Sequence, residues 1–221
     1  MFCAVIFDWD ETLADTRKAV VTSFQNVLQQ IGCEVSDEFI EKRIGIGARN
    51  TFKEALEATK MRFNDTMLEE LVKEKVKRQV ELSEKVELFE GSLELLESLH
   101  GKIKMGLASM NNKEVIDNLL SKKGLADYFD IIVTADDVLQ PKPDPEIFLK
   151  CAAKLNCRPN KCVVLEDSIF GVKAAKAANM KCIALPTGAY SRRELEREKP
   201  NSVVDSMKEW QTIQRFILEG T

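Results

Sequence analysis

With 221 residues, the chain is long enough to bury a substantial core, as one large domain or two small ones. Its 44% hydrophobic and 31% charged residues match a folded globular protein and exclude a disordered one. A net charge of −4, with no basic stripe interleaved with aromatics, argues against nucleic acid as a partner, so an anionic substrate would need a local cation or lysine to draw it in.

The first element is the apolar run Ala4-Val5-Ile6-Phe7, too short for a helix and rich in strand formers. It leads into Asp8-Trp9-Asp10-Glu11-Thr12-Leu13. Side chains alternate along a strand, so Asp8 and Asp10 are expected on one side and Trp9 on the other. Two such carboxylates can share a hard cation, or one can act as nucleophile while the other moves a proton. Taken alone they read equally well as an acidic loop that caps the following helix.

After Leu13 the period becomes helical. Val20, Val21, Phe24, Val27, Leu28 and Ile31 share a face, and Gly32 supplies a stop. Ser36 opens a second helix with Phe39, Ile40 and Ile44 as its apolar face, broken at Gly45-Ile46-Gly47. A short helix carries Phe52, Ala55 and Leu56. A long one from about Asn64 carries Met67, Leu68, Leu71, Val72, Val76 and Val80. The lysine and glutamate run at 69–87 reads as the solvated face of that helix. Residues 15–86 are thus expected to be helix only, as a bundle of about four helices.

From about Val86 strands and helices alternate. Strands are expected at 103–108, 131–134, 162–165 and 181–185, with a short one at Val203-Val204. Helices are expected around Leu93–Leu99, Val115–Leu120, from Asp144-Pro145 onward, over 169–179, near 191–198 and over 206–218. This alternation predicts an α/β fold with a doubly wound parallel sheet. The core would comprise residues 1–14 and 87–221, and residues 15–86 an inserted all-helical cap domain.

The six cysteines, Cys3, Cys33, Cys151, Cys157, Cys162 and Cys182, include no C-x-x-C pair and are expected to be reduced core thiols. The single histidine, His100, falls at a helix end, and no G-x-S-x-G turn is present, so a Ser-His-Asp hydrolase finds little support. Apolar runs fall short of a membrane span, and no basic region precedes an apolar stretch at the N-terminus. No membrane partner and a cytoplasmic location are therefore expected.

Ligands of open α/β sheets bind beyond the carboxyl ends of the strands. There the first strand delivers Asp8 and Asp10, and the second Ser109 followed by Asn111. The loop after the third holds Lys142, and the fourth runs into Glu166-Asp167-Ser168. Carboxylates that can hold Mg²⁺, beside a lysine and a hydroxyl for phosphate oxygens, suit phosphoryl transfer. Each residue alone has a plainer reading, as a loop lysine, a turn serine or a helix-start acid. Their coincidence on four segments is what carries the argument.

The set resembles the haloacid dehalogenase superfamily, in the branch with a helical cap after the first strand, similar to phosphoglycolate phosphatases and β-phosphoglucomutases. The resemblance rests on DWDETL, Ser109, Lys142 in KPDP and Glu166-Asp167 in EDSIFG. It implies a Mg²⁺-dependent phosphatase acting on a small phosphorylated metabolite, such as a sugar phosphate or a phosphoglycolate-like compound. Asp8 would be the nucleophile and form an aspartyl-phosphate, and Asp10 the acid and base. Asp8, the Asp10 backbone carbonyl and Asp167 would hold the metal, with Glu166 as a further ligand. Ser109, Met110, Asn111 and Lys142 would hold phosphate, Thr12 would support the loop, and the cap turn would offer Gly47 and Arg49 to the rest of the substrate. A monomer or weak dimer is expected.

One departure is Glu11, where the family usually has glycine. Its carboxylate would either repel phosphate or point away. Rival readings are a phospho-receiver domain, which the long insert opposes, and a non-catalytic phospho-ligand binder on the same fold. A mutase is the third. β-Phosphoglucomutases carry a cap histidine about twelve residues after the nucleophile, where this chain has Val20, and a lysine where it has Asn112, next to Lys113. Hydrolysis is therefore expected over isomerisation.

Overall fold

The computed structural model describes residues 1–220. Strand β1 (Ala4–Phe7) is buried throughout, and its side chains alternate between two core layers: Ala4 and Ile6 enter one, Val5 and Phe7 the other. Burial on both faces is why this strand reads as a continuous apolar run. Trp9 continues the Val5 and Phe7 layer, which leaves Asp8 and Asp10 off that layer.

The chain then forms β2 (Ala14–Asp15) and four helices: α1 (Arg17–Gln30), α2 (Asp37–Glu41), α3 (Ala48–Ala58) and α4 (Asp65–Leu82). It returns through β3 (Glu87–Leu88), which pairs antiparallel with β2. This two-stranded ribbon sits at the boundary of the stretch read as helix only, and of its four residues only Asp15 falls within 15–86. Two-residue strands have no periodicity to detect. The helices have a core of their own, built from Val20, Phe24 and Leu28 of α1, Phe52 and Leu56 of α3, and Leu68 and Leu71 of α4. Ser36 and Asn64 cap their helices as expected, accepting from the N–H groups of Phe39 and Met67. Helix α2 stops at Glu41, so Ile44 belongs to the turns beyond it and not to a helical face.

The rest alternates as α5 (Ser92–Leu99), β4 (Lys104–Ala108), α6 (Lys113–Lys123), β5 (Ile131–Val133), α7 (Glu146–Lys154) and β6 (Cys162–Glu166). It continues as α8 (Ile169–Ala177), β7 (Lys181–Ala184), α9 (Arg192–Arg197), β8 (Ser202–Val203) and α10 (Trp210–Glu219). Pro145, not Asp144, is the residue before α7, and Asp144 accepts from the Glu146 N–H at 2.9 Å. The six strands form one sheet in the order β5-β4-β1-β6-β7-β8, every neighbouring pair parallel. Helices α5, α6 and α10 cover one face and α7, α8 and α9 the other, a doubly wound α/β fold. Because β1 lies between β4 and β6, the sheet reverses direction of growth beside it, and the crevice there is where such sheets bind ligands.

Cys33, Cys151, Cys162 and Cys182 are free and buried. Cys3 and Cys157 lie side by side at the start of the sheet, the pair of the six that is close enough to bridge. The start of β1 runs beside the segment entering β6, with Cys3 N–H donating to the Lys161 carbonyl at 2.8 Å. That places the two Cα atoms 6.3 Å apart, within bridging range. Among the described residues no helix is long and apolar enough to cross a membrane.

Candidate active site

Asp8 follows β1 directly, and its N–H still pairs with Leu165 of β6 at 3.0 Å, so the sheet itself aims its side chain. The carboxylate is buried and accepts from Lys142 Nζ at 2.6 Å. The same ammonium donates to Glu166 Oε1 at 2.5 Å and to the Ala108 carbonyl at 3.3 Å. Burial acts to lower the pKa of Lys142, but the facing Asp8 and Glu166 carboxylates outweigh it and hold the ammonium above its usual range. Burial pushes Asp8 and Asp167 up, with Lys142 opposing in both.

Glu166 is anchored from its other oxygen. Oε2 accepts from the N–H groups of Asp167 and Ser168, both at 3.1 Å, and from the Ser168 hydroxyl at 3.0 Å. Gly171 is needed behind it, because a Cβ there would lie 1.8 Å from the Glu166 carboxyl carbon. Asp167 accepts from Thr12 at 3.4 Å, and Gly188 lies so close that a Cβ would meet Asp167 Oδ2 at 1.8 Å.

Oxygens of Asp8, Glu166 and Asp167 lie within 4.8 Å of one another, all buried. Three acids around one ammonium leave negative charge in a site shielded from water. An all-carboxylate donor set of this kind fits a hard divalent cation. The Asp10 carboxylate is not part of this cluster, so Asp10 could reach such an ion only through its backbone carbonyl.

The Asp10 side chain is held elsewhere. Asn111 Nδ2 donates to both its oxygens, at 2.8 and 2.7 Å, Thr16 donates to Oδ1 at 2.9 Å and Ser109 to Oδ2 at 3.3 Å. Burial raises its pKa, opposed first by the Thr16 bond, so the group is suited to holding a proton. Ser109 and Asn111 come from the loop after β4, as the sequence placed them. Met110 between them turns to the insert, its Cε 3.1 Å from where a Cβ on Gly47 would stand.

The sequence reading missed Lys75. It stands in the charged run taken as solvated, yet it is 2% exposed. Its Nζ bonds Gln79 and lies 3.2 Å from Asn111 Oδ1 and 5.0 Å from the Phe24 ring centre. Burial lowers its pKa to about 8 against the pull of Asp10. Leu68, Leu71, Lys75 and Gln79 are all buried residues of α4 at helical spacing. That phase was the available signal.

Glu11 does not face Asp8. Its carboxylate turns into the start of α1, and burial raises its pKa to about 7 despite the facing Arg17. Val20 joins Asp10, Lys75 and Asn111 around a chamber of about 20 Å³, room for roughly one water molecule. A larger cavity of about 470 Å³ adjoins it, with Gly47 and Met110 in the walls of both. Arg49 lines only the larger one and pairs with Asp65 at 2.5 Å. Lys113 is exposed and paired with Asp117.

A family model described as haloacid dehalogenase-like hydrolase matches residues 5–185. A fructose-1-phosphate phosphatase of Escherichia coli is 31% identical over 82% of this chain and 95% of its own length. A phosphorylated carbohydrates phosphatase of Thermotoga maritima is 34% identical over 81% of this chain and 83% of its own. Among solved structures, a β-phosphoglucomutase from Clostridium difficile superposes with a TM-score of 0.88 at 29% identity, covering 100% of this chain and 99% of that one.

Proposed function

The chain belongs to the haloacid dehalogenase-like hydrolases, and from that membership we propose that it is a Mg²⁺-dependent phosphatase of small phosphate monoesters, sugar phosphates first among them. The observation that carries this reading is the buried Asp8 carboxylate, 2.6 Å from Lys142 and clustered with Glu166 and Asp167. The names of its phosphatase relatives support the substrate class.

In the first step an Asp8 oxygen attacks phosphorus. The ester oxygen leaves as the alcohol with a proton from Asp10, and an aspartyl-phosphate remains. In the second, Asp10 takes a proton from the attacking water, the acyl-phosphate bond breaks, and inorganic phosphate departs. Lys142, Ser109 and the backbone beside Asn111 bind phosphate oxygens. Asp8, Glu166, Asp167 and the Asp10 carbonyl would hold Mg²⁺, which supplies positive charge against the phosphate oxygens. Arg49 and Gly47 on the larger cavity would meet the organic part of the substrate.

A second reading, phosphotransfer within a sugar phosphate, is favoured by the mutase likeness. The chamber by Asp10 has room for a water and Val20 adds no polar group to it, which supports hydrolysis. Both readings are tested by following phosphate release from a panel of sugar phosphates, with Mg²⁺ and with chelator. In parallel, β-glucose 1-phosphate with its 1,6-bisphosphate is assayed for glucose 6-phosphate. Chelator should abolish release, and isomerisation outpacing release would make the protein a mutase.

A further expectation concerns the close packing on the metal-side acid. Gly188→Ala puts a methyl on the Asp167 carboxylate and must displace it. A displacement near 1 Å is worth about 10²-fold in kcat/KM. Steady-state kinetics with unchanged circular dichroism would check this, and wild-type kinetics would refute it.

A further inference from the structure

Glu11 has a left-handed backbone, φ 58°, in a conformation glycine adopts without cost and glutamate does not. Its side chain is nevertheless buried and fully engaged. Oε1 accepts from the N–H groups of Thr16 at 2.8 Å and Arg17 at 2.7 Å. Oε2 faces the Arg17 guanidinium, with Nε and Nη2 each at 3.3 Å. These N–H groups at the start of α1 have no partner within the helix, and the helix dipole favours a carboxylate there.

The contacts close into a ring. Arg17 Nη2 donates to the Thr187 carbonyl at 3.0 Å, and the Thr187 hydroxyl donates to the Glu11 carbonyl. One side chain therefore joins the loop bearing Asp8 and Asp10, the first helix of the insert and the loop after β7. Thr16, whose N–H Glu11 holds, is also the residue whose hydroxyl donates to Asp10 Oδ1 at 2.9 Å. A glycine at position 11 would relax the backbone and leave the Thr16 and Arg17 N–H groups without this acceptor.

We propose that Glu11 is a positioning residue for the acid–base step. By holding the start of α1 it fixes Thr16, and through Thr16 it fixes the Asp10 carboxylate and ties its orientation to the placement of the insert. This rests on the phosphatase reading above. It predicts that Glu11 acts on the chemical step and not by repelling phosphate.

The test is Mg²⁺-dependent hydrolysis of p-nitrophenyl phosphate by wild type, Glu11→Gly, Glu11→Gln, Thr16→Val and the Glu11→Gly/Thr16→Val pair, with thermal melting of each. Glu11→Gly should lose about 10-fold in kcat, part of the contribution of general acid–base catalysis. Its KM should stay within about twofold, and its melting temperature should stay close to wild type because glycine relieves the positive φ. Glu11→Gln still accepts from both N–H groups and should keep kcat within about threefold. Thr16→Val keeps the held N–H and lacks the hydroxyl, so its loss should resemble that of Glu11→Gly. The paired variant should lose less than the sum of the two in free energy, as for residues on one path. A kcat in Glu11→Gly within threefold of wild type or above it, or fully additive losses, overturns the proposal alone. No turnover by wild type removes the phosphatase reading and this proposal together.

Discussion

Asp8→Asn should reduce turnover by about 10⁴-fold or more, the scale on which enzymes lose activity when a nucleophile is removed. The amide is a poor nucleophile and a neutral ligand, so both attack and charge balance at the cation site suffer. Its carbonyl oxygen can still accept from Lys142, which now bonds Asp8 at 2.6 Å, so the loop has no reason to move. Asp8 is one of three buried acids facing a single ammonium, and removing its charge relieves repulsion with Glu166 and Asp10. Melting temperature is therefore expected to hold or rise while activity vanishes. Asp10→Asn, by contrast, should leave residual turnover, about 10²–10⁴-fold down, the usual share of general acid–base catalysis. Phosphate release and acid-quench trapping of a phosphoenzyme separate the two. Near wild-type rates in Asp8→Asn would remove the covalent mechanism.

Much of the site could be read in the sequence because the sheet is parallel and buried on both sides. Such strands are uninterrupted apolar runs, and the first polar residues at their carboxyl ends, Asp8, Ser109 and Glu166, necessarily emerge at one edge. The order of the strands was not read, since it depends on which crossovers pack and not on local pattern. Lys75 was missed because a lysine among glutamates looks solvated unless its helical phase against Leu68 and Leu71 is followed. Ile44 was assigned to a helix because its spacing from Ile40 is helical, whereas the chain turns after Glu41 on the way to Gly45 and Gly47. Both glycines have positive φ. The direction of Glu11 depends on Thr16, Arg17 and Thr187, the last being 176 residues away, and no local rule reaches that far.

Lys142 carries the second large expectation, because it is the cation that lets three acids share a dry site. Lys142→Met fills nearly the same volume and keeps a stem for the Phe148 ring beside it, but leaves Asp8 and Glu166 facing each other without an ammonium. Breaking a buried ion pair on one side costs roughly 3–5 kcal/mol. For a chain of this size that is a fall in melting temperature of about 10 °C. The deficit should depend on pH in a definite direction. Without Lys142 the folded-state pKa values of these carboxylates rise further above their unfolded values, so the folded state binds more protons than the unfolded one. Stability must then fall as pH rises from the unfolded carboxylate range toward neutrality, and the gap to wild type should narrow in acid. A divalent cation occupying the same acids should narrow it as well, since binding to the folded state alone stabilises it. Melts of both proteins at pH 5 and 7, with and without Mg²⁺, check each arm. Equal melting temperatures at pH 7 without metal would mean that Lys142 does not balance these charges. Phosphate turnover should fall regardless of the cation, because a cation held by the acids would not replace the Lys142 ammonium proposed to bind the phosphate oxygens.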